Sequence, residues 1–284
     1  MVLTWHISPP IGPTSDGSSR ERMAQVDQWP GVNPLTVDDL VNVMGAGIRD
    51  FRAAPEYGLV LGGSFAAAGW LLIAVFTYLG LPFLAYPLAL GFALIAPFTA
   101  VGFYVVSDHL EKGKPLSWGI VFSEIRDAAR RDLGYMAFFT GFALILWLYI
   151  AAFLFVGFLG FEGFGPDLLK TLFTTSAGLV FLLLGNVIGA LIAFLVFSIS
   201  VISFPMLYER DIDFVTAMVT SVRLVMANPT TMIIWFVVIG ILMGVSLLSG
   251  FLGLIFVLPV LGHATWHLYR RAVEPAVAGG AVAA

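Results

Sequence analysis

The chain has 284 residues, of which 59% are hydrophobic, 14% aromatic and only 11% charged, with a mean hydropathy of +0.95. A soluble globular chain carries about 25% charged residues, so a soluble enzyme and a disordered protein are excluded. A formal net charge of −4 leaves no basic excess to follow a phosphate backbone, so no nucleic-acid partner is expected.

In chain order, residues 1–34 hold Pro9, Pro10, Pro13, Pro30 and Pro34 and lack the apolar core of a signal peptide, which predicts a flexible cytoplasmic arm. A membrane domain is expected over residues 35–272. A crossing helix needs about 20 mostly apolar residues, and six segments qualify: Tyr57–Leu79, Leu84–Val106, Gly134–Gly157, Thr174–Phe204, Thr230–Leu248 and Gly250–Tyr269. The links at 79–84 and 248–250 are short enough for tight antiparallel hairpins. Pro87, Pro97, Pro205 and Pro259 lie in or at the ends of spans, where proline can kink a helix. Residues 273–284, small and Gly/Ala-rich, read as a flexible tail. The predicted fold is an all-α membrane protein of six transmembrane helices arranged as three hairpins.

Of the 14 Lys and Arg, 13 lie with the termini and the longer loops, and Lys170 alone lies on the other side. Under the positive-inside rule this places both termini in the cytoplasm, with Arg49, Arg126, Arg210, Arg223, Arg270 and Arg271 at the cytoplasmic interface.

Before each hairpin lies an amphipathic stretch, starting near residues 35, 116 and 212. Each opens on a helix N-cap residue, Thr36, Ser117 or Asp213, whose side-chain oxygen can accept from the first turn. Arg49 precedes Pro55 by six residues and Arg223 precedes Pro229 by six. The hairpin exits Ser107-Asp108-His109, Tyr208-Glu209-Arg210 and Tyr269-Arg270-Arg271 also correspond. These matches predict an internal threefold repeat of about 35–107, 116–205 and 212–270. In the third stretch Phe214, Met218, Ser221, Val222 and Val225 share one face, opposite Asp213, Thr216, Thr220 and Arg223. Such a helix is expected to lie in the headgroup layer with its apolar face down; the alternative is a helix packed on its neighbours.

Gly58-x-x-x-Gly62, Gly185-Asn186-x-x-Gly189 and Gly240-x-x-x-Gly244 are small-residue patterns that let helices approach closely in lipid. With 30 glycines in the chain, one or two of these are expected to be contact faces. Asn186, the most polar mid-span residue, is expected to bond across helices.

Little in the sequence carries chemistry. The absence of cysteine removes disulfides, thiolate catalysis and Cys-ligated metals. His263 and His267 stand four apart, on one helical face, and could present two imidazoles to a metal with a third ligand from Asp108, His109 or Glu209. The bland alternative is a pair of interfacial histidines in a Trp/Tyr/Arg belt. No carboxylate or lysine interrupts the middle of a span, which disfavours ion-coupled transport. A Ser nucleophile lacks its G-x-S-x-G elbow, so no enzyme is expected, and no cofactor beyond bound lipid.

Tyr104-Val-Val-Ser107-Asp-His-Leu-Glu111-Lys-Gly113-Lys-Pro115, the run Tyr208-Glu209-Arg210-Asp211 leading to Asn228-Pro229, and the ending Leu261-Gly-His-Ala-Thr-Trp-His-Leu-Tyr-Arg270 together resemble a family of bacterial integral membrane proteins, domain of unknown function 2189. Asp108-His109 stands where the resemblance would place an Arg pair. The resemblance implies a six-helix protein of the bacterial inner membrane; some members carry a cytochrome c oxidase label. A haem–copper core needs several His on several spans, and only His263 and His267 lie near one. The expectation is therefore a non-catalytic accessory or assembly subunit of a larger membrane complex, with the bilayer and other membrane subunits as partners. A carrier or channel for an apolar or lipid-like solute is the alternative.

Overall fold

The computed structural model describes residues 30–78, 99–130, 132–160 and 168–273. The predicted arm up to residue 29, the first part of the second span (84–98) and the tail from residue 274 lie outside the described residues. Those from Gly31 onward form one compact unit. They are helical, with no strand among them beyond an isolated bridge between Val32 and Val273.

Eleven helical segments are described. The first surface helix is α1 (Val37–Ala53) and it leads into α2 (Pro55–Thr77). The second group holds α3 (99–111), α4 (Trp118–Ala129), α5 (Leu133–Leu159), α6 (Leu168–Thr174), α7 (Ser176–Ser200) and α8 (Ser203–Glu209). The third is α9 (Phe214–Ala227), α10 (Pro229–Leu248) and α11 (Leu254–Ala272). Four stretches are long and apolar enough to cross a membrane: Pro55–Ala74, Leu133–Leu159, Ser176–Glu209 and Pro229–Leu248. The fold is that of an all-α membrane protein.

The sixth predicted span, α11, is not among these four. It carries His263, His267, Arg270 and Arg271 and packs chiefly against α1 and α2 rather than along α10. Protein therefore shields His263 fully and His267 in part, which lipid would penalise, while Arg270 and Arg271 at the helix end are exposed. The link before it is tight: Gly250 and Phe251 both take left-handed backbone (φ 66° and 67°). The indole of Trp70 on α2 donates to Gly250 O at 2.6 Å. Gly69 leaves the space into which the Phe251 ring fits, since a Cβ there would stand 2.6 Å from that ring.

Each surface helix starts as its sequence dictates. Thr36 forms a capping box with Asp39, Ser117 accepts from Ile120 N and Asp213 accepts from Thr216 N. The α1–α2 and α9–α10 junctions share a geometry, with Ala54 at φ −140°, ψ 62° and Asn228 at φ −129°, ψ 52°. In both, the next residue is a proline, which bars the residue before it from helical backbone. The α4–α5 junction has no proline.

The apolar faces of α1 and α9 are covered in large part by protein. Leu40, Val43, Ala46 and Gly47 of α1 and Ala217, Thr220, Ser221, Leu224 and Val225 of α9 are buried against protein. Thr220, assigned to the polar face by sequence, is fully buried and bonds the Thr216 carbonyl. Short side chains allow neighbouring helices to cover these faces, and close packing offers dispersion contacts that disordered lipid does not. Gly47 is the extreme case: a Cβ would lie 2.6 Å from Val260 O and 2.7 Å from Ala264 N of α11.

Proline also explains the break between α7 and α8. Pro205 has no N–H to return to the Val201 carbonyl, and the helix interrupts at Val201–Ile202. Pro259 in α11 likewise frees the Ile255 carbonyl. Gly62 of α2 comes up against that atom, where a Cβ would stand only 2.8 Å away.

The buried core is shared by helices of all three groups. It gathers Val101–Val106 of α3, Met136 of α5, Met206 of α8, Leu224 of α9, Trp235 of α10 and Trp266 of α11. By contrast the most apolar windows of α5 and of α7–α8 are not buried at all; these two helices pack mainly on one another. Residues 32–34, placed in the arm by sequence, are held in the fold together with Leu35. Asn33 N donates to Ala272 O at 2.8 Å, and Asn228 receives Leu35 N on its Oδ1 at 2.6 Å.

Candidate functional site

The C-terminal half of α3 is the hub of the polar structure. Residues 101–109 are buried without a break, so Ser107, Asp108 and His109 must find partners inside the protein. Ser107, on the last turns of α3, points between α1 and α11. Its hydroxyl donates to Asp50 Oδ2 of α1 at 2.7 Å and lies 2.8 Å from His263 Nδ1 of α11. Because the hydroxyl proton goes to the carboxylate, His263 Nδ1 is the donor in that second bond. One turn along α11, His267 Nε2 donates to the same Asp50 oxygen at 2.7 Å. Burial raises the Asp50 pKa, but bonds from His267 and Ser107 outweigh it and hold the carboxyl below its ordinary value. His263 Nε2 is buried without a hydrogen-bond partner and its ring stands edge-on to Phe103.

The trio of Ser, His and carboxylate is out of order for nucleophilic chemistry. In a working triad the acid orients the histidine and the histidine activates the serine. Here the acid binds the serine directly, and Ser107 is fully buried. Each of the two histidines has one nitrogen engaged by the Ser107–Asp50 pair. Among the described residues no group of three or more His, Asp or Glu is placed to hold an ion.

The proposed third ligands are engaged elsewhere. His109 bonds Pro115 O at 2.7 Å and Glu124 Oε1 at 2.9 Å. Asp108 pairs with Lys112. Glu209 receives Tyr269 OH at 2.5 Å and Arg270 Nη1 at 2.7 Å. These bonds and those that follow join the segments 109–111, 208–210 and 266–270. Glu111 accepts from Trp266 Nε1 at 3.0 Å and from Arg270, and Tyr208 OH donates to Glu124 at 2.5 Å. Arg210 Nε donates to Tyr269 OH at 2.8 Å and its guanidinium lies over that ring. The Arg270 pKa is lowered by burial, but its carboxylate partners Glu209 and Glu111 more than reverse this and raise it.

Two clefts open on this lattice. One, of about 240 Å³, is lined by Asp108, Lys112, Glu124, Asp127, Tyr208 and Glu209. The other, of about 360 Å³, lies between α1 and α11 and includes Arg49, His267, Arg270 and Arg271. Of the interface arginines, Arg126 pairs with Asp127 at 3.8 Å, and Arg223 is exposed on α9.

The small-residue patterns divide. Gly58 and Gly62 sit against Phe51, Pro259 and the α11 backbone, and Gly189 against Trp147 of α5. At Gly185, Gly240 and Gly244 a Cβ would meet nothing within 4 Å. Asn186 does not bond across helices; its amide donates to Leu182 O of its own helix at 2.7 Å, the back-bond open to a short polar side chain.

Sequence reasoning missed Asp50 and Ser107 as partners of the two histidines and Glu111 as the partner of Trp266 and Arg270. No curated protein and no solved structure matches the chain. Residues 84–209 match the family described as Predicted integral membrane protein (DUF2189), the family the sequence resembles, and this is an integral membrane protein.

Proposed function

We propose that the protein is a non-catalytic accessory or assembly subunit of a larger bacterial inner-membrane complex, with a respiratory complex the first to test. Six spans in three like-oriented units, with both termini in the cytoplasm, complete this reading. The matching caps and the shared Ala54 and Asn228 junctions support the units, and the 13-to-1 distribution of cations supports the orientation.

One observation carries the proposal. Phe138, Phe142, Leu146, Tyr149 and Phe153 form a single stripe down the outward face of α5, all exposed, with Phe153 at 79%. Their 4-4-3-4 spacing keeps them on one helical face. A rigid aromatic ridge is what a partner helix packs against, whereas lipid contact needs only aliphatic side chains. Replacing Phe142, Tyr149 and Phe153 together by Leu keeps the hydropathy and removes the ridge. Purified in mild detergent, the wild type is expected to bring a stoichiometric membrane partner that the triple variant loses. A wild type that emerges as a clean monomer overturns the proposal.

A carrier for an apolar or lipid-like solute is the second reading. It draws on a cleft of about 170 Å³ between α5 and α7, lined by Trp147, Phe181 and Asn186 among others.

A further inference from the structure

The α1–α11 cleft is a second kind of site, and it depends only on the protein being in a membrane, not on its having a partner. Arg49 comes from α1 and Arg270 and Arg271 from the end of α11; His267 and the Asn42 amide complete the polar lining over Val43. No carboxylate lines it. The acids that balance Arg270 and Arg271 are Glu111, Glu209 and Asp39, and all three stand outside the cleft wall. Arg49 is exposed and makes no ion pair among the described residues. A cleft of about 360 Å³ lined by three arginines, one of them without an ion pair, fits a phosphate group, which arginine grips through paired N–H donors.

We infer that this cleft binds the phosphate of an anionic phospholipid headgroup. The lip of the cleft distinguishes a lipid from free phosphate. On α1 Asp38, Gly45 and Arg52 come next around from Arg49, and beyond them Val41 and Val37 are exposed. Apolar side chains beside a basic pocket offer a surface to the upper acyl chain while the headgroup is held by charge, the arrangement expected of a headgroup pocket at a membrane face.

The test uses the full-length protein in a zwitterionic-free, nonionic detergent. Phosphatidylglycerol mixed micelles, phosphatidylcholine mixed micelles and inorganic phosphate are compared as ligands by the rise in melting temperature and by native mass spectrometry. Saturable binding of phosphatidylglycerol is expected, with phosphatidylcholine and inorganic phosphate far weaker. Arg49→Gln is expected to weaken phosphatidylglycerol binding about tenfold, the loss of one charge-assisted contact. Arg49→Lys should recover part of this, and Arg223→Gln, an exposed arginine outside the cleft, should change nothing. Because Arg49 is exposed and unpaired, its variants are expected to melt like the wild type without lipid. Equal binding by wild type and Arg49→Gln overturns the inference, as does inorganic phosphate binding as tightly as the lipid.

Discussion

Asp50 shows how one side chain ties three helices together. It sits on α1, accepts from Ser107 of α3 and His267 of α11, and stays ionised against the cost of burial. Its lowered pKa has a consequence for stability. A carboxyl depressed in the folded state adds stability above its unfolded value, and that contribution fades as pH falls through the folded one. The protein is therefore expected to lose stability in acid below about pH 4, near the ordinary Asp range. In Asp50→Asn that part of the pH dependence should vanish, as read by thermal melts across a pH series. Ser107→Ala removes the hydroxyl that joins Asp50 to His263 and leaves His263 Nδ1 buried without an acceptor. It is expected to cost about 1–3 kcal/mol, measured by denaturation in detergent.

At the scale of elements, helix contacts in this protein are decided by where a backbone comes close, not by where glycines pair in the sequence. Gly47 lies in no G-x-x-x-G pattern with a glycine partner, yet it meets the α11 backbone most closely. Gly47→Ala is expected to push α1 from α11 and to destabilise by about 1–3 kcal/mol, the usual cost of overpacking. Gly240→Ala, which meets nothing within 4 Å, should be neutral or slightly stabilising because alanine favours the helix. The two variants melted side by side test the contrast. The strap at residues 32–35 obeys the same logic of backbone satisfaction. Asn228 serves Leu35 N, Asn33 O and Leu224 O at once. Asn228→Ala is expected to open the strap, seen as faster limited proteolysis ahead of α1 while the helices stay protected.

At the scale of the molecule, polar and apolar residues are sorted along the bundle. The carboxylates, histidines and arginines of the three exits knit one end together, and the α5/α7 pair leaves its apolar surface uncovered. Orientation can be tested directly because the chain has no native cysteine. Single thiols at Arg130→Cys and Lys170→Cys are expected to label from opposite sides, Arg130→Cys from the cytoplasm. Labelling of both from one side would contradict the cation asymmetry.

The helical class, the membrane setting and the starts of the surface helices were legible in the sequence because they rest on local physics. Apolar runs longer than a bilayer, N-cap oxygens and prolines act within a few residues of where they stand. The packing of α11 against α1 and α2, the burial of Thr220 and the Ser107–Asp50–His263–His267 network come only from the tertiary structure. Ser107, Asp50 and His263 lie up to 213 residues apart in the chain, and composition carries no record of which helices become neighbours. The histidine pair makes the point: its i,i+4 spacing is equally suited to a metal, a belt or a network. What surrounds it, a buried serine and a carboxylate from another helix, is recorded only in the tertiary structure.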